Sequence, residues 1–256
     1  MTVPRWARRV VAPNEPPPAT APESVADFYA RVETAVPELD ERLHVFLDEY
    51  RAFRRARGGT LQVLDIGCGR RALLAHAIDP TDEYTGCDIV ESDQMGIERF
   101  VTIDLNQERL GRRLDGRRFH VVFCGEVIEH LFSPDALLED LSGLLVPGGL
   151  LVLSTPNLAY WVNRILLPLG ISPLFLENSA WLKLGRRTKA LGQGNKTEGH
   201  IRVFTYRAVR EILELHGYDL RRVRAVPVWN LPLDRLVCRY APGLAPDVIY
   251  VAQARP

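Results

Sequence analysis

The chain predicts an α/β fold organised as a doubly wound, mostly parallel sheet, and three features of its 256 residues carry that expectation. First, LQVLDIGCGRRALL at 61–74 sets a short apolar run of Val63, Leu64 and Ile66 directly before Gly67-Cys68-Gly69. Buried parallel strands read this way, and glycines after such a strand let a ligand approach bare backbone. Second, strand-like and helix-like stretches alternate from there to Ser154, as crossover-linked parallel strands require. Third, Asp65, Asp88, Asp104, Gly125 and Thr155 all fall at the carboxyl ends of predicted strands, where ligands bind in open α/β sheets.

Composition narrows the function classes. Lysine plus arginine equals aspartate plus glutamate at 32 each, so no net field draws the chain toward nucleic acid or acidic lipid, and no DNA partner is expected. Local arginine clusters at 51–57, 112–118 and 221–224 read as solvated faces. The four cysteines, Cys68, Cys87, Cys124 and Cys238, lie far apart without a C-x-x-C pair, which suits reduced thiols. No apolar run reaches the ~18 residues of a membrane span and no signal-peptide core opens the chain, so a cytoplasmic protein is expected.

In chain order, residues 1–22 hold EPPPATAP and read as a disordered tail. Residues 23–59 read as N-terminal helices. The pattern starts at Ser24, with Glu23 and Asp27 at its favoured negative end. It restarts at Pro37 and carries the stripe Leu39, Leu43, Phe46, Leu47, Tyr50 and Phe53 as far as Gly58-Gly59. The main domain is then 60–256. After the first strand, residues 70–78 have helical spacing; strands follow at 83–88, 100–103 and 119–124. Ser133 caps a helix over 134–145 with Pro134 at its first position, and Pro147-Gly148-Gly149 turns into a fifth strand at 150–154.

Residues 158–199 exceed an ordinary connection and carry Tyr160, Trp161, Phe175 and Trp181 among leucines. So apolar an insertion either closes over a substrate as a lid or, through 158–185, contacts a lipid surface. A polar hinge at 192–199 ends it. Thr205 caps a helix over 207–216 that Gly217 stops, and strands at 219–226 and 248–254 complete the sheet. The four-proline stretch 227–246 reads as a surface connection bordering the pocket.

The glycine loop also satisfies a dinucleotide fingerprint, G-x-G-x-x-A at 67–72, but Asp65 argues against it. A carboxylate two residues before the first glycine repels a pyrophosphate and suits a cationic ligand; S-adenosylmethionine carries an ammonium and a sulfonium. Asp88 follows Asp65 at close to the ~20-residue offset at which a carboxylate meets ribose hydroxyls. The D-x-G-x-G motif at 65–69 resembles the first motif of the class I, Rossmann-like, S-adenosylmethionine-dependent methyltransferases. E-x-x-E-H at 126–130, T-P-N at 155–157 and G-H-x-x-x-F-T at 199–205 resemble the ubiquinone-type O-methyltransferases and a wider group acting on sugars, lipids and natural products. The pattern is also similar to small-RNA 2′-O-methyltransferases, in which a matching E-x-x-E-H and a later histidine hold a divalent metal.

The resemblance spans about 61–254. It implies a seven-stranded sheet with one antiparallel strand, the last, inserted between strands five and six. It also implies N-terminal helices roofing the cofactor, with Phe28 or Tyr29 in reach. By resemblance, Asp65, Gly67, Cys68, Gly69, Asp88, Ile89, Asp104, Leu105, Gly125 and Glu126 bind the cofactor. Asp104 would meet the adenine amino group and Leu105 would pack on the ring.

Glu126, Glu129 and His130 are spaced i, i+3, i+4 and would share a face on a helix, with His200 the natural fourth member. Three readings stay open. The glutamates orient loops and His130 is structural; or His130 or His200, with Glu129, serves as general base for a hydroxyl nucleophile; or Glu126, Glu129, His130 and His200 bind Mg²⁺ or Mn²⁺. The function expected is methyl transfer from S-adenosylmethionine to a hydroxyl of a small or medium-sized acceptor. Two alternatives are RNA 2′-O-methylation and a non-catalytic binding subunit. The latter is motivated by Arg71, which stands where the family motif usually has glycine.

Overall fold

The computed structural model describes residues 40–91, 99–114, 116–180, 183–186, 197–228 and 231–255. The expected tail, the helix from Ser24 with Phe28 and Tyr29, Trp181 and most of the 192–199 hinge lie outside these residues. The described elements are α1 (Glu41–Arg57), β1 (Gln62–Ile66), β2 (Glu83–Asp88), β3 (Phe100–Thr102), α2 (Leu110–Arg113) and β4 (Phe119–Gly125). After these come α3 (Pro134–Leu144), β5 (Leu145–Pro156), α4 (Trp161–Leu166), α5 (Tyr206–Leu215), β6 (Tyr218–Val226), α6 (Pro232–Tyr240) and β7 (Asp247–Ala254).

The strands form one seven-stranded sheet in the order β3-β2-β1-β4-β5-β7-β6. The first five are parallel, and β7 runs antiparallel to both β5 and β6. The expected architecture is therefore the observed one. The order reverses at β1, between β2 and β4, so the carboxyl ends of these strands open a crevice.

Each face of the sheet buries one helical layer. Asp40 caps α1 by accepting from the Leu43 amide at 2.8 Å, and Gly58 ends it at φ 68°. Between these caps Phe46, Leu47 and Tyr50 pack on Val63, Phe123, Val152 and Ile249. Burying each such side chain stabilises by roughly 1.5–3 kcal/mol. Asp82 then staples α1 to the sheet, accepting from the Tyr50 hydroxyl (2.5 Å), Arg54 Nε (2.9 Å) and the Leu61 amide (2.9 Å). On the other face Leu137, Leu138 and Leu141 of α3 join Val209 and Leu213 of α5 over Leu64, Val122, Leu151 and Tyr250.

Four local expectations need correction. No helix follows the glycine loop. Residues 70–78 form turns with a single 3₁₀ turn at Ala75–Ala77, and Ala72 sits at φ 38°, a conformation a right-handed helix does not contain. The apolar spacing there is met by turns that bury Ala72, Leu74 and Ile78. Glu126 is likewise at φ 55° and precedes a 3₁₀ turn, Ile128–His130, so it shares no helical face with Glu129 and His130. Finally, 227–246 is not a bare connection but contains α6, while Pro147-Gly148-Gly149 lies within β5, where the pairing with β4 shifts register.

The insertion after β5 starts with α4 and a 3₁₀ turn, Leu167–Leu169. Its root is tied to α6 by Asp234, which is fully buried and accepts from the Tyr160 hydroxyl (2.8 Å) and Trp161 Nε1 (2.8 Å). Asn157 holds the other side, donating to the Gly243 and Ala245 carbonyls. Among the described residues no helix is long and apolar enough to cross a membrane.

Candidate active site

A cavity of about 380 Å³ lies beyond the carboxyl ends of β1, β2 and β4. Of the residues singled out from sequence, Gly67, Gly69, Asp88, Ile89, Asp104, Leu105, Glu126, His130 and His200 line it. Asp65, Cys68, Gly125 and Glu129 do not reach its wall. Cys68 turns its sulfur toward Gly86, and Gly125 is covered by Arg42 and Phe46 of α1. Arg71 is exposed and also absent from the wall, so it does not crowd the cavity.

The glycine loop is shaped for close approach. Gly67 has φ 68°, and a Cβ there would lie 2.3 Å from Val127 Cγ2, so only glycine fits. Beneath it Asp65 accepts from the Tyr84 hydroxyl at 2.6 Å. Burial pushes its carboxyl up to about 7; the Asp88 charge adds to the rise, and Tyr84 and Arg42 oppose it. Asp88 accepts from the Gly69 (2.9 Å) and Val90 (3.0 Å) amides, which offset part of the rise that burial imposes on it. Asp104 accepts from the Asn106 amide (2.9 Å) and Gln107 Nε2 (2.8 Å). Asn106 in turn joins this loop to the loop after β4, through the His130 carbonyl (3.1 Å) and the Phe132 amide (2.7 Å).

The histidines and Glu129 converge. Nδ1 of His130 lies 3.0 Å from the Gly199 carbonyl, and Nδ1 of His200 lies 2.9 Å from the Phe175 carbonyl. A carbonyl only accepts, so both Nδ1 atoms carry a proton, and in the neutral form of either ring the lone pair is on Nε2. The ring centroids are 5.0 Å apart. Glu129 is 1% exposed; Thr155 donates to its Oε2 at 3.0 Å, and its Oε1 lies 4.0 Å from His130 Nε2. That Oε1 has no hydrogen-bond partner among the described residues. Burial, with the Glu126 charge second, holds the Glu129 carboxyl well above the carboxylate range. Burial also takes His130 down to about 4, so it is neutral at physiological pH.

Glu129, His130 and His200 each present a ligand atom within 4.8 Å of the others. Glu126 stands outside this group: Ser154 donates to its Oε1 at 2.7 Å, and Arg42 is 3.9 Å away. Burial alone would lower the Arg42 guanidinium, but the charges of Glu126, Asp247 and Asp40 outweigh it and hold it above its ordinary value. Arg42, Asp247, Asn106 and Glu198 escaped sequence reasoning. Arg42 resembles any helix arginine, and Glu198 reaches the wall only because the insertion folds back.

These features define a doubly wound α/β fold whose crevice gathers two imidazoles and a buried carboxyl group at one end. The methyltransferase domain family matches residues 29–223, and the chain belongs to it. A ubiquinone biosynthesis O-methyltransferase of Chelativorans sp. (strain BNC1) is 30% identical over 132 residues, 49% of this chain and 50% of the relative. One from Cereibacter sphaeroides is 36% identical over 109 residues, covering 38% and 42%. The chain thus spans half or less of the length of these curated relatives. Among solved structures, the N-methyltransferase NodS of Bradyrhizobium japonicum WM9, in complex with S-adenosylhomocysteine, superposes with a TM-score of 0.54 at 12% identity, covering 89% and 96% of the two chains. An S-adenosylmethionine-dependent methyltransferase of Clostridium acetobutylicum gives 0.54 at 12%, covering 91% and 97%. The fold is theirs.

Proposed function

We propose that this chain transfers the methyl group of S-adenosylmethionine to a hydroxyl of a small or medium-sized acceptor, with the Glu129–His130–His200 cluster serving the acceptor oxygen. The observation that carries the reading is the pair of imidazoles whose Nδ1–H groups are spent on backbone carbonyls, beside the orphaned Glu129 Oε1. Family membership supplies the cofactor class, and the relatives' names support oxygen as the methylated atom.

Asp88 at the β2 end takes the ribose hydroxyls, Asp104 and Leu105 take the adenine, and the Gly67–Gly69 backbone borders the methionine part. Methyl transfer then needs oxygen, methyl carbon and sulfur in line in a dry pocket. As the carbon–oxygen bond forms and the carbon–sulfur bond breaks, the hydroxyl proton passes to a neutral imidazole Nε2, leaving S-adenosylhomocysteine. Two imidazole nitrogens and one carboxylate oxygen also fit a divalent ion of the Mn²⁺ type, with Glu129, His130 and His200 as its holders. When bound, such an ion lowers the pKa of a coordinated hydroxyl. Glu126 is not in that set, because Ser154 and Arg42 occupy it.

The insertion supports an apolar or lipid-like acceptor taken up at a lid or a lipid surface: Ile165, Leu167 and Leu169 are 53%, 63% and 68% exposed. Four free cysteines suit the cytoplasm. Calorimetry with S-adenosylmethionine and S-adenosylhomocysteine tests the cofactor, and a panel of catechol, sugar, polyprenyl and RNA hydroxyl acceptors tests transfer. No binding at millimolar cofactor would favour a non-catalytic binding subunit instead. Turnover lost in chelator and restored by Mn²⁺ or Mg²⁺ supports the metal; full turnover in excess chelator leaves the imidazole base alone.

A further inference from the structure

The second cluster of potential ligands, Glu177, Glu198 and His200, adjoins the first and shares His200 with it. Its oxygens are already engaged. Glu177 Oε1 accepts from the Glu198 amide at 2.6 Å, and Oε2 from the Gly199 (2.9 Å) and His200 (3.2 Å) amides. Three successive N–H groups converging on one carboxylate make a backbone anion nest, and the carboxylate belongs to the protein. The Glu177 side chain is 5% exposed. Lys183, 2% exposed, sits 3.7 Å from it and 2.7 Å from Glu198, so the buried charge is balanced.

The strip that Glu177 grips holds both histidines. The Gly199 carbonyl faces Nδ1 of His130, and the His200 ring is met by the Phe175 carbonyl, two residues before Glu177. Phe175 takes φ 33°, a strained conformation for an aromatic residue, and in it turns that carbonyl toward the imidazole. On the strip's far side the amides of Ile201 and Arg202 both donate to the Glu129 carbonyl at 2.9 Å. A continuous set of bonds therefore runs from residues 175–177 of the insertion, through 198–202, to Glu129 and His130.

The geometry points to Glu177 as the positioning residue for the histidine pair: its carboxylate clasps the 198–200 backbone and so sets the orientation of both imidazoles. The insertion is then part of the site's assembly as well as its cover. This rests on the reading that the pair serves the acceptor oxygen, but its test needs no acceptor.

Full-length, ligand-free protein with ¹⁵N-labelled histidine would be compared as wild type, Glu177→Gln and Thr205→Ala. Thr205 caps α5, away from the cavity, so its variant lowers stability without touching the clasp. In wild type and Thr205→Ala, long-range ¹H–¹⁵N spectra should show both rings with protonated Nδ1. In Glu177→Gln the side-chain NH₂ opposes the amides, and His200 and His130 should lose the single-tautomer signature while S-adenosylhomocysteine affinity stays within about twofold. Glu177→Asp keeps the charge for Lys183 but falls a methylene short of the amides, and replaces the Gln variant if that does not fold. Unchanged tautomers in a folded Glu177 variant, or equal loss in Thr205→Ala, would overturn the assignment. Failure to bind S-adenosylhomocysteine at all would instead count against the methyltransferase reading.

Discussion

Replacing Asp65 by asparagine should stabilise the ligand-free protein at pH 8, and the gain should shrink as pH falls. Asp65 is 4% exposed, and burial lifts its carboxyl from an ordinary 3.8 to about 7. A carboxyl raised on folding opposes folding wherever it must be ionised. The penalty is full above the folded value, declines as pH drops through it, and vanishes below the unfolded one. The rise corresponds to about 4 kcal/mol at pH 8 and roughly a third of that at pH 5, taking about 1.4 kcal/mol per pH unit. Side chains and water relax around a buried charge, so a measured gain of about 1–3 kcal/mol is expected. Asparagine is nearly isosteric, and its Oδ1 still accepts the Tyr84 hydroxyl, which wild type bonds at 2.6 Å. Urea unfolding of wild type and variant from pH 5 to 8, with equal m-values, gives the difference directly. A difference independent of pH, or a variant less stable at pH 8, would refute the assigned burial penalty. The same variant should bind S-adenosylmethionine more weakly, because an anion held at a cost in the empty protein is repaid by a cationic ligand.

Three further outcomes follow from single residues. Asp88→Ala removes a carboxylate gripped by the Gly69 and Val90 amides; by calorimetry S-adenosylhomocysteine affinity should fall about 30- to 150-fold, the worth of one or two charge-assisted bonds. Asp82→Ala strands the Leu61 amide and removes the acceptor of the Tyr50 hydroxyl and of Arg54 Nε, and should lower unfolding free energy by about 2–4 kcal/mol in urea titrations with little change in cofactor affinity. Asp234→Asn should loosen the Tyr160 and Trp161 anchor; limited proteolysis within 158–180 should quicken while S-adenosylhomocysteine affinity holds.

Strand patterns proved readable in β1 and β4 because buried parallel strands are mostly apolar runs closed by turn residues; β2, a more polar run ending at Asp88 on the cavity wall, also matched its expected bounds. Helical spacing misled at 70–78, where the same apolar positions are satisfied by turns, and at Glu126, whose positive φ no spacing rule signals. The clasp was invisible for a different reason. Glu177 acts on amides 21 to 23 residues away, and backbone donors leave no mark on sequence. Arg42 escaped because its significance lies in Glu126, just after β4, and Asp247 of β7, which fold against it.

The two halves of the crevice are built from different stock. Most of the cavity wall comes from the segments following β1, β2, β3 and β4, whereas Glu198 and His200 come from one excursion between β5 and α5. That excursion leaves and rejoins the scaffold at neighbouring points, where Asn157 bridges to Phe204. Such a module can be exchanged or lengthened while the sheet beneath stays intact. A chimera grafting another methyltransferase's excursion between Asn157 and Phe204 would replace Glu177 and His200 together and leave Glu129 and His130 on the scaffold.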